Sequence, residues 1–272
     1  VDINLIPTIA LQRVEVLRDG AAAQYGSDAI AGVINFQLRS AREGGRATVT
    51  YGRYVTDVQD VETYTGVQVG PGNTPVLAPD GTLALDYTGK DRRRTDGRTV
   101  TLAAVAALPV GSEGYLNIAG ELQDREDTNR TGADPRRQYP LLTDGSLDPR
   151  ELTFNRFSHR FGDPEVREVK LFANGATPLG GETELYGFAS YANRKGESAA
   201  FYRIASNPSN ISAIYPNGFL PLIRTATDDA ALTLGVRGEN AGWRWDLSGQ
   251  HGHNAVDFTI SNTLNRSLGE TS

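Results

Sequence analysis

The chain has 272 residues, a formal net charge of −6 and no cysteine. The acidic balance argues against a general nucleic-acid binder, whose footprint is usually a basic domain. The missing thiols remove disulfide frameworks, thiolate metal sites and cysteine nucleophiles together.

Methionine is absent too, even at position 1, and the chain ends shortly after polar Asn265-Arg266-Ser267. The sequence therefore reads as a segment of a longer protein, with any signal peptide lying outside it. No stretch reaches the roughly 18 to 20 apolar residues of a membrane helix. That says nothing about a membrane barrel, whose strands alternate lipid-facing and lumen-facing residues and average out to polar.

In chain order, Val14, Val16 and Leu17 suit a short buried strand, and Asp19-Gly20 and Tyr25-Gly26-Ser27 suit turns. Ala29 to Phe36 reads as a second strand, with Gly32 allowing close backbone approach. The character changes near Arg39–Gly45, and alternating runs follow.

Ala47, Val49 and Tyr51 oppose Thr48, Thr50 and Gly52. Val100, Leu102, Ala104, Ala106 and Leu108 oppose Thr99, Thr101 and Ala103. Leu116, Ile118, Gly120 and Leu122 then alternate with polar or small residues, as do Val169, Leu171 and Ala173. The run 185–193 is apolar or small on both faces, so its orientation stays open. Leu232, Leu234 and Val236 form the sixth run, and Trp243, Trp245 and Leu247 the seventh. Period-two alternation marks strands with one apolar and one polar face.

The connections carry more information. Pro109–Gly114, Pro178–Glu182 and Glu239–Gly242 are hairpin-sized, with Gly or Asn to supply positive φ. The connections 55–97, 126–165 and 196–226 are far longer. Short and long alternate, so an up-and-down sheet has tight turns at one end and large loops at the other. Outer-membrane barrels have this asymmetry, with short periplasmic turns and long extracellular loops. Tyr115, Tyr186, Trp243 and Trp245 lie near the short turns, where an aromatic girdle would sit.

Residues 11–39 resemble the C-terminal signature of the TonB-dependent receptor plug. The match carries Arg13, Glu15, Arg18, Tyr25, Gly26, Gly32, Val33, Ile34 and Asn35, in the pattern R-V-E-V-L-R followed by Y-G-S-x-A-x-x-G-V-I-N. It departs mildly at Gln12 and at Asp19-Gly20, where many members have Glu and Gly-Pro. The resemblance implies an all-β fold: a partial antiparallel transmembrane β-barrel of about seven strands, preceded by the end of an α/β plug domain. The plug end would occupy 1–42 and the barrel 43–272. A plug enters from the periplasmic end, so the first wall strand rises outward and a long connection follows it. Arg18 is the candidate to meet acidic residues on the inner wall, with partners expected on strands beyond Ser272.

The same resemblance implies capture of a scarce nutrient (an iron-siderophore, haem, cobalamin or an oligosaccharide) at the Gram-negative outer membrane. The partners it implies are outer-membrane lipid, the extracellular ligand, and the inner-membrane energy-coupling protein TonB, reached through an N-terminal segment outside this chain. No enzymatic activity, cofactor, metal or nucleic acid is called for. Loop aromatics and arginines are the candidate ligand contacts: Tyr139, Phe157, Arg160, Phe201, Tyr202, Arg203 and Tyr215. Such groups can stack on a sugar, a haem or an aromatic siderophore, and they can equally serve loop-on-loop packing.

Other constellations are weaker. Gly20 to Gly26 lacks the Gly-Lys-Ser/Thr ending of a phosphate loop. His251 and His253 share a strand face, but no third ligand is evident. His159 stands alone in its loop. The carboxylates Glu126, Asp127, Asp163, Glu165, Asp228 and Asp229 read as solvated. Two further classes remain open: an outer-membrane barrel enzyme, which would need a Ser or Asp/His constellation at strand ends, and a soluble β-sandwich binding module, which should purify without detergent.

Overall fold

The computed structural model describes residues 6–18 and 32–271, which form nine strands in two antiparallel sheets. Strands β1 (Leu11–Arg18) and β2 (Gly32–Leu38) make a ribbon, entered through a 3-10 turn at Thr8–Ala10. Gly32 lies opposite Arg18 with φ at 139°, and a Cβ there would come within 2.5 Å of the Leu17 carbonyl oxygen. The close approach expected at this glycine is present, and a side chain would be excluded. Asp19-Gly20, Tyr25, Gly26, Ser27 and Ala29–Ala31 fall outside the described residues.

The second sheet holds β3 (Gly44–Val67), β4 (Leu85–Val110), β5 (Gly114–Arg125), β6 (Glu165–Gly180), β7 (Thr183–Ala199), β8 (Leu222–Asn240) and β9 (Trp243–Ser261). Each strand pairs antiparallel with the next, so the sheet is a seven-stranded meander. It is open, with β3 and β9 as edges. Each alternating run falls inside one of these strands.

Register fixes the faces. Val49 lies beside Leu102, Leu102 beside Leu122, Leu122 beside Val169, and Ala189 beside both Ala173 and Leu232. This outer face is apolar and exposed, through Val49, Leu102, Ile118, Leu122, Leu171, Leu232, Leu234 and Leu247. The opposite face carries buried Ala103, Val105, Asn117, Ala119, Glu121, Lys170, Phe172 and Asn174. The ambiguous run is settled by its neighbours: Leu185, Gly187, Ala189 and Tyr191 face outward, while Tyr186, Phe188, Ser190 and Ala192 face inward.

The tight turns are short, at Gly111–Glu113, Gly181-Glu182 and Ala241-Gly242. Positive φ comes from Gly111, Gly181, Gly242 and, in place of the expected Asn, Ala241 at 52°. The long connections are shorter than the sequence suggests. Residues 55–67 and 85–97 continue β3 and β4, leaving only 68–84 as connection, and the third shrinks to 200–221. A strand of 26 residues at about 3.3 Å per residue is far longer than a membrane band roughly 25 Å tall. In its upper part pairing persists while the apolar alternation disappears: most positions are exposed, and Arg92 is buried against Phe157 of the 126–164 connection. Irregular register between Gly52/Tyr54 and between Val58/Glu62 accompanies this extension.

The aromatic girdle needs correcting. Trp243 and Trp245 lie on the outer face, whereas Tyr115 and Tyr186 share the inner-face parity of Asn117 and Phe188. Nearness to a turn sets height, but strand parity sets the face.

Candidate functional site

The ribbon meets the sheet at its base. Ile9 and Ala10 pack on Ala103, Val105, Ala119 and Phe172, flanked by Ile6 and Leu38. Val14, Val16 and Ile34 instead remain exposed, so the strand read as buried is not covered by any described residue. Among the described residues, the apolar contact of this segment with the wall is made by Ile6, Ile9, Ala10 and Leu38.

Polar contacts lock the chain leaving the ribbon. The Arg39 side chain donates to the Ile9 carbonyl at 2.7 Å, and its backbone N–H to the Ala10 carbonyl at 3.1 Å. Asn174 Nδ2 donates to the Arg39 carbonyl at 2.8 Å, and Asn117 Nδ2 to the Ala41 carbonyl at 3.0 Å. These two asparagines are direct cross-strand partners, so one polar pair on the wall holds two successive links of the tether. Arg42 reaches the β4–β5 turn, donating to the Gly114 and Gly111 carbonyls.

Two wall residues further along the same face, Lys170 lies 3.1 Å from Glu121 and 3.0 Å from Glu168. All three side chains are at most 10 % exposed. One ammonium between two carboxylates satisfies most of this buried polarity, although Glu168 Oε1 has no hydrogen-bond partner.

The large 126–164 connection has its own polar core. Arg156 and Glu151 are buried and 2.6 Å apart. Glu151 also accepts from the backbone N–H groups of Gln138 and Tyr139, and Arg156 donates to the Arg136 and Glu151 carbonyls. Arg136 chelates Asp134. Burial pulls the Asp134 carboxyl up, but Arg136 outweighs it and holds the group below the usual carboxylate range.

Aromatic contacts join this connection to its neighbours. Tyr139 meets Phe154 edge-on, Phe154 meets Tyr202, and His159 lies against Phe161 and Tyr202. Tyr139 and Tyr202 both donate to Asn217. Burial is the main cause that pushes the Tyr202 hydroxyl up to about 12 and the His159 imidazole below its ordinary value. On the other side, Phe157 packs against Tyr64 under the Arg92 guanidinium.

Residues 1–33 match the TonB-dependent Receptor Plug Domain family. This segment is plug sequence of a TonB-dependent receptor. The chain is 37% identical over 70 residues to the vitamin B12 transporter BtuB of Vibrio cholerae, a match covering 26% of this chain and 12% of that protein. It is 28% identical over 123 residues to a probable TonB-dependent siderophore receptor, PirA, of Acinetobacter baumannii, covering 44% of this chain and 16% of that protein. The alignments thus span under a fifth of these curated relatives. No solved structure matches the chain. TonB-dependent receptors form a non-enzymatic family of the Gram-negative outer membrane, which gives the chain its location.

Of the plug residues singled out in the sequence, Arg13, Glu15 and Asn35 come together. Glu15 accepts from Arg13 at 2.6 Å and Asn35 at 3.1 Å, and Arg13 holds its carboxyl below the usual range. Arg18 is exposed and makes no ion pair among the described residues. Tyr25 and Gly26 lie outside them. The candidate ligand contacts divide. Tyr139, Phe157 and Tyr202 serve loop packing, Arg160 pairs with Glu197 and Asp127, and Tyr215 stacks on Phe219 at 4.5 Å. Phe201, at 67 % exposure beside Phe161, and Arg203 remain open to solvent. Sequence reasoning missed the tether asparagines and the Glu151–Arg156 core. Asn117 and Asn174 were legible only as polar positions on the inner face, and His159 belongs to a ring cluster rather than standing alone.

Proposed function

We propose that the chain is the plug–barrel junction and first wall of an outer-membrane receptor for active uptake of a scarce nutrient, with plug over 1–42 and barrel over 43–272. The observation that carries this reading is two-sided. One face of the sheet receives the plug segment at Ile9 and Ala10, and the other presents an exposed apolar band. Only a membrane-embedded wall around a plug needs both. The names of the relatives put vitamin B12 and siderophores among the substrate classes to test. TonB supplies the energy in this reading, acting through the N-terminal part of the plug.

Fractionation tests the location, and growth tests the activity. The protein should partition with outer-membrane vesicles and need detergent for extraction. A deletion strain should lose growth on one limiting iron, cobalamin or glycan source, as should a strain lacking TonB. Extraction in plain buffer would refute the membrane reading, and unchanged growth on every source would refute the uptake reading.

A further inference from the structure

At the end of the sheet opposite the tight turns, the 200–221 connection and the tops of β8 and β9 border a half-open cavity of about 470 Å³. Its apolar lining includes Phe219, Ile223 and Ile260, and its polar lining includes Arg203, Asn207 and Ser209. Ile223 and Ile260 are cross-strand partners with the inner-face parity of buried Asp229 and Thr233. The cavity therefore lies on the plug side of the wall, and its volume suits a small molecule.

Arg203 is fixed where it stands. Its backbone exchanges hydrogen bonds with Phe219 at 2.8 and 2.9 Å, forming an isolated bridge. Its guanidinium differs from those of Arg136, Arg150, Arg156 and Arg160, each of which has a carboxylate within 3.3 Å. Among the described residues Arg203 has no ion-pair partner, and no carboxylate lines the cavity. A hollow of mixed lining, with Phe219, Ile223 and Ile260 on one part and one unneutralised, planar donor on the other, suits a ligand that has an apolar body and an anionic end. A carboxylate fits the guanidinium fork through two parallel hydrogen bonds.

We propose that this cavity is a ligand subsite for an apolar group ending in a carboxylate, which Arg203 holds. The inference deepens the receptor reading and rests on it for its biological meaning, but its chemistry is tested separately. The intact receptor in lipid nanodiscs is titrated with biphenyl-4-carboxylate, neutral biphenyl-4-carboxamide and biphenyl-4-methylammonium, followed by saturation-transfer NMR. The carboxylate should bind about ten-fold more tightly than the amide, the worth of one charge-assisted contact, and the ammonium most weakly. Arg203→Gln should bring the carboxylate to the amide's affinity and leave the amide unchanged, while Arg203→Lys retains part of the preference. Equal binding of carboxylate and amide, an unaltered preference in Arg203→Gln, or no binding of any probe would each overturn the proposal. Failure of the receptor reading would appear elsewhere, in fractionation and growth.

Discussion

Replacing Lys170 with methionine is the sharpest test of how the plug-side face is held together. The ammonium lies 3.1 Å from Glu121 and 3.0 Å from Glu168, and all three side chains are nearly excluded from water. At an effective dielectric near 20, each contact is worth roughly 5 kcal/mol, most of which desolvation of the three ions offsets. The intact triad therefore adds little net stability, but breaking it leaves two facing carboxylates unpaired. Lys170→Met should cost about 3–5 kcal/mol. It should lower by several degrees the temperature at which the receptor loses its compact, heat-modifiable band on a gel. The triple variant Lys170→Met, Glu121→Gln, Glu168→Gln removes all three charges at nearly constant volume and should recover most of the loss. If Lys170→Met melts like the wild type, or like the triple variant, the argument from uncompensated buried charge is wrong.

Three further changes probe the tether and the loops. Asn174→Ala removes the donor to the Arg39 carbonyl and should weaken the tether by about 1–2 kcal/mol, read as faster tryptic cleavage after Arg39 or Arg42. Glu151→Ala strands buried Arg156 and two backbone N–H groups, so hydrogen-exchange protection across 126–164 should collapse, at a cost of roughly 3–5 kcal/mol. Burial, aided by Arg136 and opposed by Asp134, keeps the His159 imidazole neutral in the packed loops. An opened loop binds a proton near the ordinary histidine value of about 6.5, so packing is complete above that pH and weakens as pH falls toward the lowered native value. Limited proteolysis of 126–164 should accordingly be faster near pH 5 than near pH 7.5, and His159→Phe should flatten the difference.

The wall was legible in the sequence because a membrane strand obeys one simple rule: alternate residues face lipid. Each of the seven runs lies in its strand, and the short turns fall where Gly and Pro cluster. The rule fails wherever its cause is absent. Above the apolar band, 55–67 and 85–97 pair as strands without alternating, so the sequence made them loop. Along 185–193 small residues on both faces hide the orientation, and only the register with Leu171 and Leu232 decides it. The tether was less legible still. Asn117 and Asn174 are 57 positions apart in a sequence of 272 residues, and nothing local says that they share one cross-strand rung or that a carbonyl of the tether lies over each. The buried Glu151–Arg156 pair was hidden for the same reason, within a connection whose charges read as solvated.

That outcome changes which loop residues matter for a ligand. A ring or a cation recognises something new only if its surface and charge are not already satisfied inside the protein. Tyr139 lies under Arg150 and donates to Asn217, Phe157 lies under Arg92, and Arg160 faces two carboxylates. Removing any of these would disturb the loops before it touched a ligand, and the resulting loss of binding would mislead. Arg203 and Phe201 are in the opposite position. Both are exposed, on one short connection whose backbone is pinned to Phe219, and they flank the end of the wall opposite the tight turns. The packed 126–164 connection is then a scaffold for the neighbouring 200–221 segment, which it supports through Tyr139 on Asn217 and Phe154 on Tyr202, and the proposed recognition falls on that segment.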